Sequence, residues 1–336
     1  MLAILQLDSK YRYGINEKGQ MIFKSIPVFP QEHEYYLTPT RMHKKTRLNQ
    51  LVCITIKEGN NAHISRNYGP ANSLSGWYTA LLQNQGISKN PILKFRSDNF
   101  IQSIQRTIIE YPVYSVDPDG CRDIDDCISI QESDNSYVIG IHIADVAGFL
   151  IENMLLDDLE LHRFSTIYTP AKNHHMLDEP LATNILSLVK KQQRRAMSIL
   201  IKINKETNEL IQCNIESTLI TNRNNLTYEK ANKSPFYKNM MKIVSKFYSS
   251  YSGKNVEITD SHELIEKLMV CANHFVAKYL IKQGRNPLLR VFDRNEDINE
   301  IKDRELKDFV SIYNSNNRAR YELYDPSKKM RHSCMD

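Results

Sequence analysis

The segment Tyr137–Ala144, YVIGIHIA, is apolar at nearly every position. A strand with one wet face alternates apolar and polar residues, whereas a continuous apolar run belongs to a strand covered on both faces. This segment therefore predicts a central strand with structure layered on either side. Met197–Ile203, MSILIKI, alternates instead; NKETNE turns the chain and Leu210–Ile215 returns. That pattern predicts a hairpin with one face in the core. Shorter strands are expected at Val113–Val116 and Cys127–Ile130. Asp260-Ser-His-Glu263 offers a capping box. It opens a helix over Leu264–Gln283, with apolar residues at 264, 265, 268, 269, 272 and 276, and Gly284 ends it. Strands and helices together predict an α/β (α+β) fold with a mixed sheet.

The first part of the chain reads differently. Residues 1–57 alternate short apolar runs with turn signals, and Leu51–Ile56 (LVCITI) predicts a buried strand, so a small β-barrel or sandwich module is expected. Residues 58–70 read as a loop, and Ser73–Gln85 and Ser97–Ile109 as helices. Tyr11, Tyr13, Phe23, Phe29, Tyr35 and Tyr36 are interleaved with Lys10, Arg12, Lys24, Arg41, Lys44 and Lys45. Bases stack on exposed aromatics and phosphates pair with basic side chains, so the mixture suits single-stranded nucleic acid; half of these aromatics are expected in the core. Residues 1–100 carry 13 Lys and Arg against 6 Asp and Glu, while the whole chain is only +5. A basic N-terminal part on a near-neutral body suits a polyanion; a basic solvated surface is the plain alternative.

At 336 residues, one large domain and a smaller one are expected, with boundaries at 1–95 and 96–336. No apolar run reaches the roughly 18 residues that cross a bilayer. The start, MLAILQLDSK, has no basic n-region. The expectation is a cytoplasmic protein without a membrane partner. Six scattered cysteines make no CxxC pair, which fits reduced thiols. His174-His175 reads as a pair of solvated loop histidines rather than a metal site. The tail 293–336 reads as charged and helical, then basic.

Between the strands at 113–116 and 127–130 lies 117-DPDGCRDIDD-126, five aspartates and an arginine among ten residues. Carboxylates at this density repel one another unless protons or a cation neutralise them. Magnesium takes oxygen ligands and needs only one or two carboxylates, with water and substrate phosphate supplying the rest. Two such ions can activate a water and stabilise a leaving oxygen in phosphodiester hydrolysis. Asp117 ends one strand and Asp123, Asp125 and Asp126 enter the next, so a turn can bring them to one point. On a pleat Asp125 and Asp126 face opposite ways, so one is expected to ligate and the other to position water or a second ligand. A calcium loop of the EF-hand kind is excluded, since Gly120 is at position four, not six, and position twelve is Ile128, not Glu. An acidic surface turn is the remaining alternative.

The stretch 115-SVDPDGCRDIDDCISI-130 followed by 140-GIHIADVAGFL-150 resembles the RNB domain of the ribonuclease II family. The resemblance continues in order through Arg163-Phe-Ser-Thr-Ile-Tyr168-Thr-Pro, Met176-Leu, Ile185-Leu-Ser-Leu188, Arg195-Ala-Met-Ser, Leu226-Thr-Tyr228 and Leu264-Ile-Glu266 to Asn273. It covers roughly residues 100–295. It implies an RNB-type mixed sheet preceded by an OB-like or cold-shock-like module that feeds RNA. It implies Mg²⁺-dependent 3′→5′ hydrolysis of single-stranded RNA to nucleoside 5′-monophosphates. Carried over by position, Asp117, Asp123 and Asp126 are similar to the family's metal or metal-water ligands, and Asp125 supports the same catalytic cluster. Tyr168 and Tyr228 resemble tyrosines that clamp the last bases, and Glu266 the acidic residue that positions the terminal nucleotide. Arg163 and Arg195 are expected on RNA. The family continues into a Ser/Thr-Pro-Ile-Arg-Arg segment and an S1-type domain that these 336 residues do not contain, so a C-terminally incomplete RNB domain is expected. A chain that binds RNA without turnover is therefore the alternative.

Overall fold

The computed structural model describes residues 1–41, 48–87, 104–156, 165–170, 173–291 and 320–327. Chain contacts divide it into two units, Met1–Lys94 with Asp157–Glu179, and Phe95–Leu156 with Pro180–Asp336.

The first unit is built on five antiparallel strands, β1 (Leu2–Leu5), β2 (Met21–Pro27), β3 (Tyr36–Thr40), β4 (Gln50–Ile56) and β5 (Ala62–Pro70), in the order β3-β2-β1-β4-β5. A parallel bridge from Leu37 to Asn61 brings the edges together, and the Leu37 amide donates to the Asn60 carbonyl at 2.7 Å. The sheet thus curls into an OB-like barrel, the device by which a small sheet protects its edges. Ala3, Leu5, Phe23, Tyr36, Val52 and Ile54 fill it. Helix α1 (Leu74–Asn84) starts at Ser73, whose hydroxyl accepts from the Gly76 amide. A Cβ on Gly76 would lie 2.8 Å from the Tyr68 carbonyl, so glycine permits the close approach of α1 to β5.

Of the six interleaved aromatics, Phe23 and Tyr36 are core, while Tyr11, Tyr13 and Phe29 are exposed. Arg12 lies over the Phe23 ring at 5.0 Å and Lys24 over Tyr35 at 4.5 Å. Lys44 and Lys45 lie outside the described residues.

The second unit holds a mixed sheet of β6 (Thr107–Ile108), β7 (Val113–Asp117), β8 (Asp126–Glu132), β9 (Ser136–Ala144), and, after helix α2 (Val146–Glu152), the long strands β12 (Gln193–Asn204) and β13 (Leu210–Thr227). The short antiparallel pair β10 (Ile167–Tyr168) and β11 (Asn173–His174) between them belongs to the first unit. The sheet order is β12-β9-β8-β7-β13-β6, and β12 also pairs with β13, which closes a ring of five strands. Strand β13 pairs antiparallel with β12, then passes an irregularity at Asn222–Asn224 and runs parallel to β7.

As its composition demands, β9 is central, between β8 and β12. Ile139, Ile141, Ile199, Ile201 and Ile203 pack against α3 (Tyr228–Lys233), α4 (Pro235–Ser252) and α5 (Ser261–Lys282). The sheet also contains a polar line. His142, fully buried, bonds to Ser129 at 2.8 Å and Ser198 at 2.6 Å, and Ser198 continues to Thr218 at 2.6 Å. Burial pushes the His142 imidazole down to about 4. No helix among the described residues is long and apolar enough to cross a membrane.

Four expectations are corrected. Residues 62–70 form strand β5, not loop; its side chains are mostly polar and exposed, so periodicity was silent and pairing with β4 decides. Thr107 and Ile108, placed at a helix end, form β6 beside β13 at Thr218 and Leu219. The rest of that helix, 97–103, lies outside the described residues. Arg320–Leu323, expected in a helical tail, forms β15, antiparallel to β14 (Leu288–Val291); residues 293–319 and 328–336 lie outside the described residues. His175 is buried rather than solvated. The Asp260 cap holds, accepting from the Glu263 amide at 2.9 Å, but Glu263 reaches back to Thr259 at 2.7 Å, one residue earlier than a capping box.

Candidate active site

The acidic stretch is a shaped loop, not a loose turn. Asp117 ends β7. The Cys121 amide then donates to the Pro118 carbonyl at 3.1 Å, and Gly120 adopts φ +76°, a conformation that suits glycine. Ser187, itself buried, clamps the far half of the loop: its hydroxyl donates to the Arg122 carbonyl and accepts from the Ile124 amide, both at 2.8 Å. The Leu188 amide donates to the Ile124 carbonyl at 2.9 Å, and Ile124 is a core side chain. Finally the Ala144 amide donates to the Asp125 carbonyl at 2.9 Å, and Asp126 starts β8 opposite Ile143.

This framework makes the carboxylates interact. Burial raises Asp117 to about 6; the neighbouring Ser115 hydroxyl opposes the rise, and the charges of Asp125 and Asp123 add to it. Burial raises Asp126 to about 7, helped by Asp117 and Asp125. Asp117 Oδ2 and Ser115 Oγ are buried without a hydrogen-bond partner. Cys121, pushed to about 12 by burial and by Asp117 and Asp123, stays a neutral thiol. The five cysteines among the described residues are unpaired.

Such a site suits a divalent cation. The orphaned Asp117 oxygen lacks a positive partner, and Asp126 is held close enough to feel it. Among the described residues no three His, Cys, Asp or Glu side chains converge into a ready-made cage. Magnesium does not require one, because water and phosphate oxygens complete its shell. Asp117, Asp123 and Asp126 are the carboxylates that could hold it, with Asp125 contributing charge.

Strand β13 delivers Tyr228 to the same place. Thr227 lies in register with Asp117, and Tyr228 is the next residue, the first of α3. Its phenol is raised by burial and then by the charges of Asp126 and Asp117. The start of α5 is fastened to this turn, with the Ser261 hydroxyl donating to the Tyr228 carbonyl at 3.0 Å. His262 stacks on the Tyr228 ring, centroids 3.6 Å apart and planes 8° from parallel. Glu266, one turn further along α5, is exposed and 3.3 Å from Lys267. A groove of about 480 Å³ lies beyond it, lined by Asp125, Asp126 and Ile143 on the sheet and by Met269, Ala272 and Asn273 of α5.

Tyr168 is exposed on β10 in the first unit. Arg163 lies outside the described residues. Arg195 is mostly buried and pairs with Glu152 of α2, with Phe149 beneath its guanidinium. Arg106 joins that cluster through Asp145 at 2.7 Å and Glu152 at 3.4 Å. Arg195 thus has a protein carboxylate where RNA was expected. Sequence reasoning assigned no role to Ser187 or His262. The Leu-Ser-Leu segment was noticed only as a pattern, and His262 only as a position inside a helix cap.

Residues 105–239, which carry this loop, match the RNB domain family. This stretch of the chain is an RNB domain, the domain of the ribonuclease II family. The RNB match spans β7, the acidic loop, β8, β9, β12, β13 and Tyr228. Ribonuclease R of Mycoplasmopsis pulmonis is 30% identical over 172 residues, covering 46% of this chain and 23% of the relative. Exosome complex exonuclease RRP44 of Mus musculus is 35% identical over 120 residues, covering 35% and 12%. The chain thus spans a quarter or less of the length of these relatives. Among solved structures, Mycoplasma genitalium RNase R in complex with ribose methylated single-stranded RNA superposes with TM-score 0.62 at 16% identity, covering 88% of this chain and 64% of that one. Yeast Ssd1, described as a pseudonuclease, superposes with TM-score 0.65 at 15% identity, covering 100% and 52%. These two show that the RNB fold is shared.

Proposed function

We propose that this chain is the metal-binding core of a Mg²⁺-dependent 3′→5′ exoribonuclease that shortens single-stranded RNA to nucleoside 5′-monophosphates. The supporting observation is the coupling of Asp117 and Asp126, with an unpartnered buried oxygen on Asp117, in a loop pinned by Ser187. A bound magnesium would supply an activated water and neutralise charge on the scissile phosphate. Asp117, Asp123 and Asp126 would hold it, and Asp125 would add negative charge. Water adds to phosphorus, the P–O3′ bond breaks, and the last nucleotide leaves with its 5′-phosphate. The groove beside Asp125 and Asp126 has room for a nucleotide and is largely apolar, so it favours an unpaired base over bulk water. Tyr168 and Tyr228 would clamp the last bases, Glu266 would position the terminal nucleotide, and Arg163 would contact RNA. The module of residues 1–95 would feed the strand, since Tyr11, Tyr13 and Phe29 are exposed beside Arg12 and Lys24. Unpaired cysteines fit a cytoplasmic setting.

A second reading, RNA binding without turnover, is suggested by the fold this chain shares with yeast Ssd1, described as a pseudonuclease. Single-stranded RNAs labelled at the 5′ or the 3′ end, incubated with and without Mg²⁺, separate the two. Release of monophosphates from the 3′ end, lost in Asp126→Asn, is expected. Tight binding with no product establishes the second reading, and hydrolysis of small phosphoesters but not RNA removes both.

A further inference from the structure

We infer that His262 is the outer ring of the nucleobase-stacking platform and that an unpaired base of RNA docks on its exposed face. The inference rests on the RNA-binding reading above and adds a residue to it. Three observations carry it.

First, one face of Tyr228 is taken. At 3.6 Å and 8° the imidazole covers the phenol ring in full stacking contact. A base approaching from that side meets His262, not Tyr228. His262 is exposed despite this contact, so much of its remaining surface is open to solvent.

Second, the pair is held rigidly. Asp260 caps α5, the Ser261 amide donates to Asn232 at 2.7 Å, and the Ser261 hydroxyl donates to the Tyr228 carbonyl at 3.0 Å. The backbones that carry the two rings are therefore fastened to each other. A preorganised aromatic surface binds a base without first ordering its own side chains.

Third, the platform points along a path. His262 and Glu266 are four residues apart on α5 and share a face, and Met269 and Asn273 continue that face into the groove with Asp125 and Asp126. Thr227, the residue before Tyr228, lies in register with Asp117. A base on His262 would extend a column of rings that begins at the carboxylates.

The test uses the full chain in an Asp126→Asn background, which removes hydrolysis, and a single-stranded RNA with 2-aminopurine at its 3′ end. Binding should quench the fluorophore. His262→Ala should weaken binding between about five-fold and a hundred-fold, as expected for one stacked base, with loss of quenching. His262→Phe should restore both, and His262→Leu should not. Unchanged affinity and quenching in His262→Ala, or a leucine variant as good as phenylalanine, overturns the inference. An upfield-shifted His262 ring resonance in the free protein, abolished by Tyr228→Ala, reports the stack without RNA; its absence also overturns the inference. If that resonance is present but no single-stranded RNA binds, the RNA reading itself fails and the inference with it.

Discussion

The Ser187 hydroxyl accepts the Ile124 amide at 2.8 Å across 63 residues of sequence. It also donates to the Arg122 carbonyl, so one small side chain sets the path of the acidic loop from within the core. Ser187→Ala would leave two backbone groups unsatisfied, one of them on the buried Ile124. A loss of about 1–3 kcal/mol in urea unfolding is expected. Magnesium affinity should fall more than the stability loss alone explains, because the loop that presents Asp123 and Asp126 is released. Titration of the variant with Mg²⁺ by calorimetry checks this; wild-type affinity would show that the clamp does not govern the site.

Asp126→Asn should raise the melting temperature of the metal-free protein at pH 8. Asp126 is pushed to about 7 by burial and like charge, so at this pH the folded state carries an ionised carboxylate it disfavours. The same substitution should abolish the stabilisation that Mg²⁺ gives the wild type. Thermal melts of both proteins with and without Mg²⁺ provide the comparison. A metal-dependent shift that survives in the variant would place the ion elsewhere.

Acid should weaken the sheet through His142. Its folded value of about 4 lies below the unfolded value of 6.5, so the unfolded chain takes up the proton first. Stability from this group is complete above pH 6.5 and is lost progressively as pH falls toward 4. The difference corresponds to about 3 kcal/mol. Urea unfolding at a series of pH values should show the slope, and His142→Gln should flatten it. Gly140→Ala should mimic the damage at neutral pH, since its Cβ would lie 2.3 Å from Ser129 Oγ and 2.7 Å from His142 Nε2.

Arg195→Met should cost stability first. It strips one of two guanidinium partners from the buried Glu152 carboxylate, and breaking such a pair costs on the order of 3 kcal/mol. Below the unfolding transition, RNA affinity should be unchanged. Retained stability together with lost RNA affinity would return Arg195 to the RNA-binding set.

The parts of this molecule visible in its sequence are those where one residue type has one solution. An unbroken apolar run such as 137–144, rich in β-branched residues, marks a covered strand, and β9 is central. Strand β5 was hidden because its side chains are polar and its partner, not its period, defines it. Ser187 was hidden because its role depends on a loop more than sixty residues away. His262 was hidden because a helix cap already accounted for its neighbours. The partner of Arg195 was hidden for a related reason: a basic residue in a motif does not disclose that Glu152 faces it.

The irregularity at Asn222–Asn224 gives β13 the function of a phase shifter. Upstream of it the strand keeps step with β12, and downstream with β7. Successive strand residues face opposite ways, so a single-residue deletion there would present the neighbouring residue where Thr227 now pairs with Asp117 and so shift Tyr228. The long hairpin can therefore drift in length at its distant turn, near Lys205–Glu209, without disturbing the carboxylates, whereas one residue lost at the irregularity would move the tyrosine off its site while leaving most of the fold in place.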